Sequence, residues 1–170
     1  DIMFSDTLFG HKKGAYTGAD QARDGLIAKA SGGTLFLDEI GDLKEPSQVK
    51  LLRLMEDRTY YPLGSDSSLQ TDTRVIVTTN RDLQGLIAED AFRKDLYYRL
   101  RFHQIHIPPL RERKEDIPLL LDHFFEMAAK TSGKKKPISS SELVLLLSAY
   151  NFPGNVRELK ALVYDAVARH

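Results

Sequence analysis

Residues 32–39 read Gly32-Gly33-Thr34-Leu35-Phe36-Leu37-Asp38-Glu39, and this stretch decides the fold. The glycines break whatever precedes them. The apolar run behind Thr34 is uninterrupted rather than alternating, which predicts a strand covered on both faces in a parallel sheet. The strand then ends in two carboxylates, an arrangement suited to phosphate chemistry. Asp38 can hold a hydrated magnesium ion against phosphates. Glu39 can orient and polarise an attacking water. Successive strand residues point to opposite faces, so both acids serve one site only if the strand ends there and the backbone turns. A short apolar run followed by Asp-Glu also occurs at ordinary strand ends with solvated acids, so the neighbouring segments have to decide.

On the N-terminal side lie a glycine-bearing polar stretch, residues 10–18, and a short helical segment, Leu26 to Ala30. On the C-terminal side Pro46 suits the first turn of a helix running to about Asp57. Its apolar positions are Val49, Leu52 and Met55, widened by Leu51. Tyr60 to Leu63 and Leu69 to Thr71 flank Gly64-Ser65-Asp66-Ser67-Ser68 and predict a hairpin with a polar tip. Arg74 to Thr79 is a second β-rich run, ending at Asn80. Phe102, Ile105 and Ile107 suggest a further strand, closed by Pro108-Pro109.

From there the pattern is helical. Asp116 is placed to cap a helix with Ile117, Leu120, Leu121, Phe124 and Ala128 on its apolar face. Lys134-Lys135-Lys136-Pro137 reads as a basic linker, and Ser141 to Tyr150 as a second helix. Asn155 is placed to cap a third, with Val156, Leu159, Leu162, Val163 and Val167 on one face. Strands alternating with helices, followed by helices alone, predict an α/β core over residues 1–113 and an all-helical lid over 114–170.

The 24 basic and 24 acidic residues balance to a net charge of zero, which argues against a dedicated nucleic-acid-binding surface. With no cysteine, disulfides and thiolate metal sites are excluded. No apolar run approaches the roughly 20 residues that span a bilayer. No export signal is visible at Asp1-Ile2-Met3-Phe4. A cytoplasmic protein is the expectation.

Gly14-Ala15-Tyr16-Thr17-Gly18-Ala19 taken alone is a tight turn with a packed tyrosine. Its position, behind Leu8-Phe9-Gly10-His11 and ahead of the Asp-Glu strand, resembles the central domain of the sigma-54-dependent activators, bacterial enhancer-binding proteins of the AAA+ class. Their loop reads Gly-Ala-Phe-Thr-Gly-Ala and contacts the sigma factor. Here tyrosine keeps the ring and adds a hydroxyl, and Thr7 stands where the family usually has glutamate. The resemblance extends over essentially all 170 residues and implies an AAA+ P-loop-type parallel sheet with flanking helices plus a small helical lid.

The resemblance also implies roles for particular residues. Asp38 and Glu39 would drive hydrolysis of ATP with magnesium, the metal held by Asp38 through water. Asn80, in Thr78-Thr79-Asn80-Arg81-Asp82-Leu83, would act as a sensor of the phosphate. Arg93 and Arg99, in Phe92-Arg93-Lys94-Asp95-Leu96-Tyr97-Tyr98-Arg99-Leu100, would reach a nucleotide held by a neighbouring subunit. Six residues along an unbroken helix is about 240° of rotation, so the two arginines need a helix end or a division of roles. Arg157, in Asn151-Phe152-Pro153-Gly154-Asn155-Val156-Arg157-Glu158-Leu159, would be a second sensor, and Pro108 to Arg113 would link core to lid. Gly14, Ala15, Tyr16, Thr17, Gly18 and Ala19 would contact sigma-54.

Partners implied are sigma-54 RNA polymerase holoenzyme, further copies of the chain in a ring, typically a hexamer, and promoter or enhancer DNA through parts outside this chain. A two-component regulatory context is compatible with the family. No Gly-x-x-x-x-Gly-Lys-Ser/Thr phosphate loop occurs in the sequence, and in the family that loop precedes Leu-Phe-Gly, so the chain is expected to begin after it. An interaction module that has lost nucleotide binding is the rival reading. A clamp loader or helicase loader is a third, against which the 14–19 loop speaks.

Overall fold

In the computed structural model, which describes residues 2–169, a first compact unit ends at Gln104 and a second begins at Ile105. The first contains α1 (Ile2–Phe9), β1 (Gly10–His11), β2 (Arg23–Asp24), α2 (Leu26–Lys29), β3 (Thr34–Leu37), α3 (Glu45–Asp57), β4 (Thr59–Tyr60), β5 (Leu69–Gln70), β6 (Arg74–Val77), α4 (Leu83–Ala88) and α5 (Lys94–Leu100). The second contains α6 (Ile117–Ser132), α7 (Ser141–Ala149) and α8 (Asn155–Arg169).

β3 and β6 form the parallel pair, in a register that sets Leu37 opposite Val77. Leu35 and Leu37 point into the core with Leu8, Phe9, Ile27, Ile40, Leu51, Leu54, Phe92 and Leu96. The other face differs from the expectation of a strand covered on both sides. Phe36 is 58% exposed, beside its register partner Ile76 at 41%. The sheet has two strands, and among the described residues nothing buries that face.

The hairpin forms with shorter arms than expected: β4 and β5 pair antiparallel over Thr59–Tyr60 and Leu69–Gln70, while Leu63 bonds to Gly10 and Lys12 instead. On α3, Pro46 lies in the first turn, but the buried stripe is Ser47, Gln48, Leu51 and Leu54, with Leu52 and Met55 packed at its flank. The spacing of Val49, Leu52 and Met55 places the face one position off. A glutamine at a core position is invisible to hydrophobic periodicity, yet it can be buried when its amide is satisfied. The expected strand through Phe102, Ile105 and Ile107 does not form. Residues 101–103 make a 3₁₀ turn, and 104–109 carry no ladder among the described residues. A strand exists only with a partner for its backbone groups.

The helical unit has its own core of Leu110, Ile117, Leu121, Phe124, Phe125, Ala128, Phe152, Leu159, Val163 and Val167. Leu110 is fully buried there, so the chain ahead of Arg113 packs with the helices. Two expected caps are not made. The Asp116 carboxylate accepts from Arg113 instead of from its own helix. The Asn155 side chain accepts from the Leu110 N–H at 2.9 Å, and its φ of 52° is left-handed. Glu158 satisfies the Gly154 N–H at that helix start. Ser140 does cap α7, accepting from Leu143 N–H at 3.2 Å. The basic linker is anchored: Lys134 donates to the last carbonyls of α8, at Val167 and Ala168, where a cation suits the helix dipole. No described helix is long and apolar enough to cross a membrane.

Candidate functional site

β3 ends at Leu37, and the parallel register carries on for one more step: Thr78 N–H donates to Leu37 C=O, and Ile40 N–H donates to Thr78 C=O. Asp38 therefore comes level with Thr78, whose hydroxyl donates to the Asp38 carboxylate. Glu39 adopts φ 55° and ψ 47°, a left-handed conformation that costs a non-glycine residue about 1–2 kcal/mol. Such strain clusters at functional sites. It is also the backbone turn that the sequence requires if two adjacent acids are to share a site.

The Glu39 carboxylate accepts from Asn80, at 3.0 Å from the side-chain amide and 3.3 Å from the backbone N–H. Thr78 and Asn80, two residues apart beyond β6, thus hold the two acids. Sequence reading singled out Asn80 and missed Thr78. The signal was available, since residues i and i+2 at a strand end share a face. The donors around Asp38, a carboxylate and a hydroxyl, are hard oxygens of the kind magnesium prefers. Among the described residues no group of three or more His, Cys, Asp or Glu gathers, so a metal here would keep most of its shell from water and phosphate.

The arginines lie elsewhere on the first unit. Arg93 caps the N-terminus of α5 in extended backbone, so Arg93 and Arg99 do not share an unbroken helix. The Arg93 guanidinium forks onto Asp95, with Nη2 to Oδ2 at 2.6 Å, and Glu45 lies 3.7 Å away. That hydrogen bond holds the Asp95 carboxyl below its usual range and strengthens the proton on Arg93. Arg99 donates to the Met55 carbonyl near the end of α3, at 3.0 and 3.3 Å. Among the described residues, neither arginine bonds to Asp38 or Glu39. Arg157 is in the second unit, exposed in the first turn of α8, with no hydrogen bond or ion pair to a described residue.

The loop of residues 14–19 is closed by Gly14 N–H donating to Ala19 C=O at 2.8 Å and Ala19 N–H donating to Tyr16 C=O at 3.0 Å. Gly14 and Gly18 have φ of 81° and 97°, a region that excludes other residues without strain. The hairpin supports the loop. Lys12 N–H donates to Leu63 C=O, Leu63 N–H donates to Gly10 C=O, and a Cβ on Gly64 would sit 2.8 Å from that of Ala15. Beneath lies a buried polar knot that sequence reading did not find. The Asp6 carboxyl group pairs with His11 Nδ1 and accepts from Arg23 at 3.0 Å, while His11 Nε2 pairs with the Gln21 carbonyl at 2.8 Å. Tyr16 leans edge-on against that histidine, with ring centroids 5.2 Å apart, and remains 37% exposed.

A parallel strand pair that brings two acids together, a polar segment just beyond the second strand and a following helical unit fit the AAA+ class. The chain belongs to the family described as the sigma-54 interaction domain, whose model matches residues 1–106. The AAA+ ATPase lid domain matches residues 111–170. The chain is 46% identical over 167 residues to the transcriptional regulatory protein ZraR of Salmonella typhimurium, covering 98% of this chain and 38% of that protein. It is 44% identical over 163 residues to the Nif-specific regulatory protein of Herbaspirillum seropedicae, covering 96% of this chain and 30% of that one. Crystal structures of NtrX from Brucella abortus, in complex with ADP and with ATP, superpose with TM-scores of 0.88 and 0.86 at 32% identity. Each covers 99% of this chain and 36% of NtrX. The chain thus spans under two fifths of the length of these relatives.

Proposed function

We propose that the chain is the ATPase centre, without its phosphate loop, of a sigma-54-dependent transcription activator. The observation that carries this reading is the paired placement of Asp38 and Glu39 by Thr78 and Asn80, in one chain with the 14–19 loop. Asp38 would hold magnesium through water, and the ion would neutralise phosphate charge. Glu39 would take the proton of the attacking water, with Asn80 releasing or redirecting it according to what occupies the site. Arg93 and Arg99 would complete the site of a neighbouring subunit in a ring, a hexamer in the family's usual form, and Arg157 would sense the nucleotide from the lid. Gly14 to Ala19 would deliver the output to sigma-54 and its polymerase. DNA contact and any two-component receiver would reside in other parts of the whole protein, which would work in the cytoplasm. There the exposed Phe36 and Ile76 face would be covered by the rest of the AAA+ core. ATP binding by the NtrX relative supports the nucleotide, and the intact acids and arginines speak against a module that has lost hydrolysis.

One comparison tests the reading. The full-length protein is expected to hydrolyse ATP, and to stop when magnesium is chelated. The 170-residue chain is expected to show no sub-millimolar ATP binding by calorimetry, because no glycine-rich loop and lysine cradle the phosphates. Micromolar affinity with steady turnover in the 170-residue chain would overturn the role given to the missing loop. A full-length protein inert toward ATP would favour the interaction module.

A further inference from the structure

Gln48 is fully buried on α3, among the apolar residues of the first core. Its side-chain amide makes three hydrogen bonds, all to backbone. Nε2 donates to the carbonyls of Leu43 at 2.7 Å and Ala91 at 2.9 Å, and Oε1 accepts from the Arg93 N–H at 2.8 Å. An amide has two donors and one acceptor oxygen, so both donors are used and the oxygen is engaged.

The three partners belong to two places that matter. Leu43 closes the turn that leaves Glu39: Asp42 N–H donates to Glu39 C=O, and Leu43 N–H donates to Ile40 C=O. Ala91 and Arg93 form the approach to α5, where Arg93 is the capping residue. Gln48 therefore links the backbone behind the acids to the backbone that carries Arg93. Glu45, one turn earlier on α3, faces the Arg93 guanidinium from the same helix. An apolar side chain at position 48 would fill the space but leave two carbonyls and one N–H without this partner. A buried group left unpaired opposes the arrangement that Gln48 now holds.

We propose that Gln48 is a positioning residue for Arg93, tying the arginine offered to a neighbouring subunit to the catalytic turn of its own subunit. This rests on the reading of Arg93 as a group that acts in trans. A loop arginine must reach a phosphoryl group within a few tenths of an ångström to act. A misplacement of about 1 Å can cost on the order of 100-fold in rate. Gln48 fixes the main chain at Arg93 itself, whereas the Asp95 fork constrains only the exposed guanidinium.

The test uses full-length protein and mixed rings. Gln48→Met keeps the volume and removes the amide. It is expected to lower kcat for ATP by about 10- to 100-fold while the KM for ATP stays within about twofold. Glu39→Ala subunits are inactive at their own sites but carry correctly placed arginines. Mixed one to one, they should restore turnover to Gln48→Met subunits well above the sum of the two separate proteins. Arg93→Ala mixed with Glu39→Ala is the reference. If the reference is not rescued, the trans reading of Arg93 fails. If the reference is rescued and Gln48→Met is not, the positioning role fails. Gln48→Asn, which keeps the amide but ends one methylene short of its backbone partners, is the second variant and should show the same loss of kcat with little change in KM. Loss of ring assembly in both Gln48 variants would assign the residue to the fold alone and overturn the proposal.

Discussion

Glu39→Ala in the full-length protein is expected to reduce ATP turnover by about 100- to 10,000-fold, the range for loss of a general base, while ATP binding persists. Glu39 is the second acid beyond β3, its backbone is left-handed, and its carboxylate is held by the Asn80 amide rather than by a cation. Nothing in its contacts assigns it to phosphate binding, so the loss should fall on kcat and spare affinity. Alanine at φ 55° also carries a local backbone cost, which Glu39→Gln controls for, since the amide keeps the side chain's size and removes its charge. Both variants should be slow. Normal turnover in either would remove Glu39 from the chemistry and leave Asn80 holding a merely structural acid.

The second large effect belongs to Tyr16. Tyr16→Ala in the full-length protein is expected to retain fold, ring assembly and ATPase rate, yet lose capture of sigma-54 in the presence of a transition-state analogue. Small residues surround the tyrosine in the sequence, and the ring's partner in the structure is His11, met edge-on. With 37% of the residue exposed, the ring is neither packed away nor free. It rests on a histidine pinned on both nitrogens, which presents it outward at low conformational cost. Aromatic residues presented this way contribute disproportionately to binding energy. Tyr16→Phe keeps the ring and should retain capture, because the hydroxyl has no hydrogen-bond partner among the described residues. Normal capture by Tyr16→Ala would end the contact role, and an unfolded Tyr16→Ala would support a structural one.

What the sequence disclosed, and what it hid, follows from which forces act locally. The Asp-Glu strand end, the helix behind Pro46, the turn of the hairpin, the apolar face of α6 and that of α8 apart from Leu162, which is 47% exposed, were legible because periodicity and turn chemistry are local. The partners of polar residues were not. Asp6 and His11, Gln48 and Arg93, and Leu110 and Asn155 are each brought together by tertiary packing, and no hydrophobic pattern marks a polar residue that will be buried and satisfied. The strand expected near Ile105 failed for a similar reason, because strand formation depends on a neighbour and not on propensity alone. Phe36 misled in the opposite sense. A continuous apolar run signals a strand covered on both faces, and the described residues cover one.

In the proposed function, ATP hydrolysis at the Asp38 and Glu39 site would be coupled, through the 14–19 loop, to remodelling of sigma-54 polymerase. The most direct measurement is promoter melting by sigma-54 holoenzyme with the purified full-length protein, read as the permanganate reactivity of thymines around the start site. Melting is predicted with ATP and wild-type protein, and is predicted to be absent with a non-hydrolysable analogue or with Glu39→Ala. Equal melting without hydrolysis, or brisk hydrolysis by a protein that leaves the promoter closed, would contradict it.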